Sequence, residues 1–426
     1  MEKELLRTTL IEQNENNSNI QDTIPRDLKD RVEKSATHSV AVISGLRRSG
    51  KSTLLQQIRA EQKGVYVNFD DDRFVNFTVE DFHKLHELAL EIMEEAKTFF
   101  FDEIQNITGW ERFVRRLHES NNTVYVTGSN ATMLSKEMGT HLTGRHMSHS
   151  LYPFSFNEFL KYKQIKHDLK KPTTMMNATL KKAFNEFLKQ GGIPKYLKEN
   201  DKEYLRTIYK DILYRDIITR YNIKNEQALK ETIFYLVSNI GKEISYNKLR
   251  QLVGLTSATT VREYIEYAQN TYLLFQVPRF EYSLKKQTYA HKKIYAVDQA
   301  IASIIGFRPT EDKGRILENT VFIELQRRGK ETYYHKEKHE CDFVIREGYR
   351  ITQAIQVCHH LNDENKDREI KGLKEAMDEH KLKTGLLLTY DEEDEVKIGT
   401  KKIIIKPVWK WLLAKSEELE NEALVN

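Results

Sequence analysis

From Gly45 to Ser52 the chain reads Gly-Leu-Arg-Arg-Ser-Gly-Lys-Ser, which fits the spacing G-x-x-x-x-G-K-[ST]. A loop of this kind wraps backbone N–H groups around phosphates. Its lysine reaches the β/γ-phosphates and its hydroxyl residue holds Mg²⁺. On that reading Gly45, Arg48, Ser49, Gly50, Lys51, Ser52 and Thr53 would bind a nucleotide, with Ser52 also on the metal. The flanks suit the motif. Ser39-Val-Ala-Val-Ile-Ser44 is a short apolar run expected to form a buried parallel strand, and Thr53-Leu-Leu-Gln-Gln-Ile-Arg59 has helical spacing. The phosphates would then lie at a helix N-terminus, where unpaired N–H groups and the helix dipole favour anions.

A phosphate loop needs a second element to hold the metal and aim a water molecule. Thr98-Phe-Phe-Phe-Asp102-Glu103 is an apolar strand that ends in two carboxylates. Asp102 would hold Mg²⁺ through water, and Glu103 would polarise the attacking water as a general base. Thr123-Val-Tyr-Val-Thr127-Gly-Ser129-Asn130 reads as the next core strand. In sheets of this type ligands gather at the carboxyl ends of strands, so Ser129 or Asn130 would sense the γ-phosphate, or else simply cap a turn. Arg145, in Leu142-Thr-Gly-Arg-His146, is the candidate for an arginine that stabilises transition-state charge, within the chain or across a subunit boundary.

These groups need a scaffold, and the length of 426 residues allows two to four domains. Charged residues make up 31% and apolar residues 39%, an ordinary balance for a soluble protein, and a net charge of +4 is too small to define a nucleic-acid binder by itself. Cys341 and Cys358 suit a reducing compartment, lack CxxC spacing and cannot build a disulfide framework. No apolar run approaches the roughly 18 residues of a membrane span, and no secretory segment opens the chain, so a cytoplasmic protein is expected. Residues 1–35 read as an arm with a polar, low-complexity linker. From 36 to 150, β-like runs at 40–44, 64–69, 98–102 and 123–127 alternate with helical patterns, which predicts a mostly parallel sheet covered on both faces. Residues 151–235 are helical in period, interrupted at Gly191-Gly-Ile-Pro194. Segment 236–290 reads as helices followed by a hairpin, 291–415 returns to mixed α/β, and 416–426 is a tail.

Together, Gly-Leu-Arg-Arg-Ser-Gly-Lys-Ser-Thr, Phe-Phe-Asp-Glu-Ile-Gln, Thr-Gly-Ser-Asn, Leu-Thr-Gly-Arg and Leu-Tyr-Pro-Phe-Ser-Phe-Asn-Glu-Phe resemble a family of prokaryotic AAA-type ATPases related to the STAND class. The resemblance runs from Ile24-Pro-Arg-Asp-Leu to about Leu373. It implies a P-loop NTPase, AAA-like parallel sheet with a helical lid, and it implies that Gly192-Ile-Pro194 is similar to a GxP element near the base, with Pro194 at the cofactor. From the residues alone, that glycine–proline pair marks a helix boundary.

Two further modules are expected. Glu243-Ile-Ser-Tyr-Asn-Lys-Leu-Arg-Gln-Leu-Val-Gly-Leu has a serine cap and a glycine stop, and Thr256-Ser-Ala-Thr-Thr-Val-Arg opens a second helix. This is the layout of a winged helix-turn-helix, with Tyr272–Phe280 as the wing. Between 241 and 293 there are nine Lys or Arg and four Glu, so the positive charge of the chain is concentrated here. Arg262, Lys285, Lys286, Lys292 and Lys293 are the expected phosphate contacts on double-stranded DNA. The alternative is a protein-docking or lid module kept soluble by its lysines.

Farther on, the order Leu317-Glu318, Glu340-Cys-Asp342 and Ala354-Ile-Gln356-Val-Cys358 resembles the restriction-endonuclease-like PD-(D/E)xK fold. Glu318 and Asp342 match its metal-holding acids. The E-x-K position reads Gln356-Val-Cys358, so an acid is replaced by an amide and the lysine by a thiol. Gln356 would still offer a carbonyl oxygen, Cys358 cannot replace an ammonium, and Lys366 or Lys371 would have to reach in from the next helix. The expected protein is thus a Mg²⁺-dependent, ATP-hydrolysing homo-oligomer associated with DNA and carrying a degenerate nuclease-like domain. A STAND-like switch without DNA, or an active nuclease licensed by ATP, are the alternatives.

Overall fold

Strands β1 (Val40–Gly45), β2 (Val65–Asn68), β3 (Thr98–Asp102), β4 (Thr123–Gly128) and β5 (His146–Leu151) pair in parallel in the order β2-β3-β4-β1-β5. The alternation of side chains explains why both faces are covered. Val40, Val42, Phe99 and Phe101 enter one core, while Ala41, Ile43 and Phe100 enter the other with Leu54, Leu55 and Ile58 of the helix Lys51–Glu61. Strands apolar on both sides belong in the middle of a parallel sheet. Four of the five strands match the apolar runs in the sequence. The fifth, β5, was not expected: His-Met-Ser-His-Ser-Leu occupies the sheet edge and buries only His149 and Leu151, so it leaves no apolar run to read.

This computed structural model describes residues 1–15, 23–94, 96–129, 142–169, 173–307 and 312–414. It divides into two compact units, Met1–Tyr152 with Asn270–Tyr272, and Pro153–Gln269 with Leu273–Asn426.

The second unit begins with helices. Phe156–Tyr162 opens on a capping box formed by Ser155 and Glu158, followed by Thr174–Gln190, Pro194–Glu199 and Lys202–Asp211. Proline suits the first turn of a helix because its missing N–H has no intrahelical partner there. The chain continues through a π-helical stretch, Ile212–Thr219, to the helix Glu226–Ser238.

Next come β6 (Glu243–Ile244), helices Tyr246–Leu252 and Ala258–Asn270, β7 (Leu274–Pro278), a short helix Leu284–Tyr289 and β8 (Lys292–Ala296). These strands form an antiparallel sheet in the order β6-β8-β7. The partner of β7 therefore lies beyond position 290, and the domain boundary expected there falls inside a paired sheet. The short helix between the strands masks the hairpin in the sequence.

The remainder is the helix Lys313–Arg327, β9 (Glu331–Lys336), β10 (Glu340–Glu347), β11 (Arg350–Val357), the helix Lys366–Glu379, β12 (Thr384–Thr389), β13 (Asp394–Ile398), β14 (Lys401–Pro407) and the helix Val408–Leu413. The strands build a mixed sheet in the order β13-β14-β12-β11-β10-β9. Helix Lys366–Glu379 packs on β10, β11 and β12, and Leu373, Ala376 and Met377 join their core.

Gly372 gives a test of this packing. In an exposed helix, glycine to alanine stabilises by about 1 kcal/mol through propensity. Here a Cβ would lie 2.1 Å from the Glu340 carbonyl oxygen, so the helix would have to lift from β10. Gly372→Ala is expected to destabilise by about 1–3 kcal/mol in denaturant titration. Stabilisation would show that the helix is not seated this closely.

Candidate functional site

β1 ends at Gly45 and the chain enters the loop 45–50, which delivers Lys51 as the first residue of the helix Lys51–Glu61. Gly45 admits β5: a Cβ there would strike the Leu151 carbonyl at 2.2 Å. Arg48 and Gly50 take left-handed backbone angles, φ 67° and 98°, which turn the loop around the helix N-terminus. Lys51 is buried, with Nζ 3.3 Å from the carbonyls of both Gly45 and Leu46 and 3.6 Å from Glu103 Oε1. The buried Ser49 hydroxyl has no hydrogen-bond partner among the described residues, whereas Ser52 and Arg48 are exposed and Thr53 is half-buried. A loop with an ammonium held on carbonyls and an unsatisfied hydroxyl at a helix start fits a polyphosphate.

The second element meets the first at Asp102. Alternation along β3 turns Asp102 to the same face as Phe100, toward the helix that carries Ser52, and the Ser52 hydroxyl favours the ionised form of its carboxylate. Tyr66 donates to Oδ2 at 2.9 Å, and Thr127 donates to Oδ1. Burial pushes the Asp102 carboxyl above the usual range, and the hydroxyls of Ser52, Thr127 and Tyr66 oppose that rise. A carboxylate and a hydroxyl paired at the loop suit a hard divalent cation such as Mg²⁺, which would be held by Ser52 and Asp102.

Glu103 leaves the alternation because its φ is 51°, a left-handed value that is costly for a residue with a Cβ. That turn brings its carboxylate to Lys51, and Gln105 Nε2 donates to Oε2 at 2.6 Å. Burial pushes the Glu103 carboxyl up, but Lys51, Gln105, Arg47 and Ser129 together hold it below its ordinary value. It is therefore ionised and able to accept a proton. Ser129 is buried nearby, and its hydroxyl has no hydrogen-bond partner among the described residues. Asn130 lies outside the described residues.

Arg145 is placed elsewhere. It immediately precedes β5, where its carbonyl accepts from Val40 N at 2.8 Å, and its exposed guanidinium pairs with Glu119 at 3.3 Å. Val40 opposes His146 while Gly45 opposes Leu151, so Arg145 sits at the opposite end of β1 from the phosphate loop. At about 3.3 Å per residue that is roughly 16 Å of strand. This corrects the expectation that Arg145 acts on the γ-phosphate within its own chain. Pro194 begins a helix in the second unit, where Phe154 N donates to Gly192 O and Gly192 N donates to Asp298 Oδ2, both at 2.7 Å.

Two residues at the loop were not singled out from the sequence. The buried Arg26 guanidinium donates to Ser49 O at 2.8 Å and to Tyr152 O at 2.6 Å, bracing the loop from the arm. Its only signal was the Ile-Pro-Arg triplet after a polar tract. Thr127 donates to Asp102 and accepts from Glu103 N at 2.9 Å, so one hydroxyl fixes both acids. Its signal was a polar residue ending a core strand.

In the second unit Glu318 and Asp342 are brought together, with a third participant. Lys293 Nζ lies 2.7 Å from Glu340 Oε1, 2.9 Å from Asp342 Oδ1 and 3.1 Å from Glu318 Oε1. Lys293 is 2% exposed, which corrects its assignment as a DNA contact. Its alternation with Lys292 on β8 turns it inward. Lys292 donates to the carbonyls of Thr288 and Ala290 at 2.8 and 2.7 Å, closing the end of the short helix. Lys366 and Lys371 stay exposed, and Lys371 faces Asp367 at 3.9 Å. Gln356 is committed at both ends: Oε1 accepts from Asp342 N at 3.2 Å, and Nε2 donates to Glu369 Oε2 at 2.6 Å.

Residues 37–160 match the family model of an AAA domain, and residues 181–311 match a domain of unknown function (DUF8612). The first unit is thus a P-loop AAA-type module. The chain belongs to the family of the uncharacterized protein MJ1544 of Methanocaldococcus jannaschii, with 36% identity over 402 residues and 89% of each chain covered. An uncharacterized protein of Haemophilus influenzae is 30% identical over 392 residues, covering 87% of this chain and 95% of that one. Among solved structures, the replication initiator DnaA bound to AMPPCP and single-stranded DNA covers 59% of this chain and 91% of its own at 14% identity, with a TM-score of 0.28. A STAND protein with a tetratricopeptide repeat sensor, PH0952 from Pyrococcus horikoshii, covers 72% of this chain and 46% of its own at 14% identity and a TM-score of 0.26. Both are distant likenesses. Among the described residues no helix is long and apolar enough to cross a membrane.

Thr127 gives the test of the acid pair. Thr127→Val keeps the shape and removes the hydroxyl, leaving the buried Asp102 short of a donor. Stability is expected to fall by about 1–3 kcal/mol, with Thr127→Ser recovering most of it. Equal stability of all three forms would mean that the hydroxyl does not hold the acids.

Proposed function

We propose that the protein binds ATP with Mg²⁺ on the loop 45–52 and hydrolyses it. The observation that carries this is the convergence of Ser52 on Asp102 and of Lys51 on Glu103, 3.6 Å apart, at one helix N-terminus. Loop N–H groups and Lys51 would hold the β- and γ-phosphates, and Arg26 would keep the loop in its binding shape. Mg²⁺, when bound through Ser52 and Asp102, would neutralise charge on the phosphate oxygens. Glu103 would take a proton from a water whose oxygen attacks the γ-phosphorus, as the bond to the β–γ bridging oxygen breaks and ADP leaves. Ionised and seated beside Lys51, Glu103 is in the protonation state this role needs. Ser129, whose buried hydroxyl has no partner among the described residues, or Asn130 would sense the γ-phosphate or orient the water.

We further propose a DNA-associated switch or remodeller that works as an oligomer, in which residues 236–296 form the winged helix and residues from about 297 onward a nuclease-like domain without cutting activity. Exposed Lys285 and Lys286 stand beside Tyr282, Leu284 and Tyr289, which are 74%, 78% and 80% exposed, and Arg262 lies on the helix Ala258–Asn270. Cations interleaved with aromatic side chains suit a nucleic-acid backbone and its bases. A STAND-like switch without DNA is the second reading. It gains support from Lys292 and Lys293, whose ammonium groups are spent inside the protein.

Lys51→Ala is expected to abolish ATP turnover measured by phosphate release. Glu103→Gln should keep ATP binding and slow hydrolysis by about 10²–10⁴-fold. Unchanged turnover in the first variant, or lost nucleotide binding in the second, would refute these roles. DNA affinity that falls steeply with salt supports the first reading, and nucleotide-dependent assembly without DNA affinity supports the second.

A further inference from the structure

The acids at Glu318 and Asp342 pose a chemical question that the E-x-K departure left open: what balances buried negative charge where a nuclease-like fold would place a divalent cation and a lysine? β8 supplies the answer from outside that motif. Lys293 and Tyr295 share a face of the strand, and both reach Glu318, the tyrosine donating to Oε1 at 2.6 Å. Asn319 pins the strand in place, donating to Ala296 O at 3.0 Å and accepting from Ala296 N at 2.8 Å. The ammonium is thus delivered by a fixed backbone.

An ammonium has three N–H donors and no acceptor. Here Asp342 and Glu318 accept hydrogen bonds at 2.9 and 3.1 Å and Glu340 Oε1 lies 2.7 Å away, so three acids close around the ammonium. The surrounding ligand atoms are also committed. Asp342 Oδ2 accepts from Val357 N at 3.0 Å, Glu340 Oε2 pairs with Lys336 at 3.1 Å, and the Gln356 carbonyl oxygen accepts from Asp342 N. The Cys358 thiol is turned to the backbone, donating to His360 O at 3.0 Å. A divalent ion drawing these oxygens to about 2.1 Å would first have to displace the ammonium from all three acids.

We propose that Lys293 is a built-in cation that fills the carboxylate cluster of the C-terminal domain and excludes a divalent metal. The lysine missing from the E-x-K position is therefore not restored as a catalytic group. Its charge returns at the metal's own place, and the domain neither takes Mg²⁺ there nor cuts phosphodiesters. The inference rests on the binding-only reading of this domain and is independent of the nucleotide site.

The test uses the full chain without nucleotide, titrated with Mn²⁺ and followed by electron paramagnetic resonance, alongside cutting of plasmid and single-stranded DNA in Mg²⁺. The unaltered protein should show no Mn²⁺ site that Asp342→Asn removes, and no cutting. Lys293→Ala should gain one Mn²⁺ site, at least tenfold tighter than any in the parent, and lose it again in Lys293→Ala/Asp342→Asn. Removing the ammonium leaves three acids in mutual repulsion, so Lys293→Ala/Glu340→Gln serves as a second variant with the charge partly rebalanced. If either variant is unfolded alone, Mn²⁺ should restore its melting transition. An Asp342-dependent Mn²⁺ site in the unaltered protein overturns the proposal, as do variants that bind no Mn²⁺ or are not rescued by it. Asp342-dependent cutting would instead sink the binding-only reading itself. Persistence of every result in a Lys51→Ala background separates them from the ATP site.

Discussion

A carboxylate taken out of water must meet a cation or a set of donors, and this requirement organises the polar interior of each unit. In the AAA-type unit, Asp102 is buried at the end of a strand made of three phenylalanines, and the hydroxyls of Tyr66 and Thr127 bond it there while that of Ser52 favours its charge. Those three groups come from the loop helix, β2 and β4. Satisfying one aspartate therefore fixes the register of the strands against the phosphate loop, and Glu103 follows by its left-handed backbone.

The two units meet the same requirement in opposite ways. Lys51 stands 3.6 Å from Glu103, longer than an ordinary hydrogen bond, and its other contacts are backbone carbonyls. Its charge remains available to a phosphate, and Ser52 beside it is exposed. Lys293 is closed in by three acids at hydrogen-bond distance. The first arrangement is poised for a ligand, and the second is complete without one. The same pair of residue types thus gives a site in one case and a structural plug in the other, and spacing decides which.

Much of the AAA-type unit was legible because its signals are local. Strand, loop and helix follow one another within about twenty residues, and the apolar runs of β1 to β4 report burial on both faces. The within-chain role of Arg145 failed for an equally physical reason. Its motif follows the core strands in sequence, but β5 runs parallel to β1 from the same end, which leaves its first residue far from the loop. Arg26 and Thr127 were missed because neither residue type carries a distinctive pattern. Their importance comes from reaching backbone or acids more than twenty positions away. Lys293 was read as surface charge because a lysine pair after a turn is usually solvated, and nothing in Lys-Lys distinguishes the inward residue from the outward one.

The sequence by itself determined the phosphate loop, the acid-ended strand, and the presence of acids at Glu318 and Asp342 with an amide and a thiol where an acid and a lysine would be expected. Each is a pattern whose meaning is set by neighbours along the chain. Tertiary structure alone decided which cation meets which carboxylate. That choice depends on strand order and on the face a residue presents: β8 turns Lys293 inward to Glu318, Glu340 and Asp342, while β5 carries Arg145 away from the loop. Electrostatic partnership falls off over a few ångströms, and those ångströms are fixed only when the chain is folded.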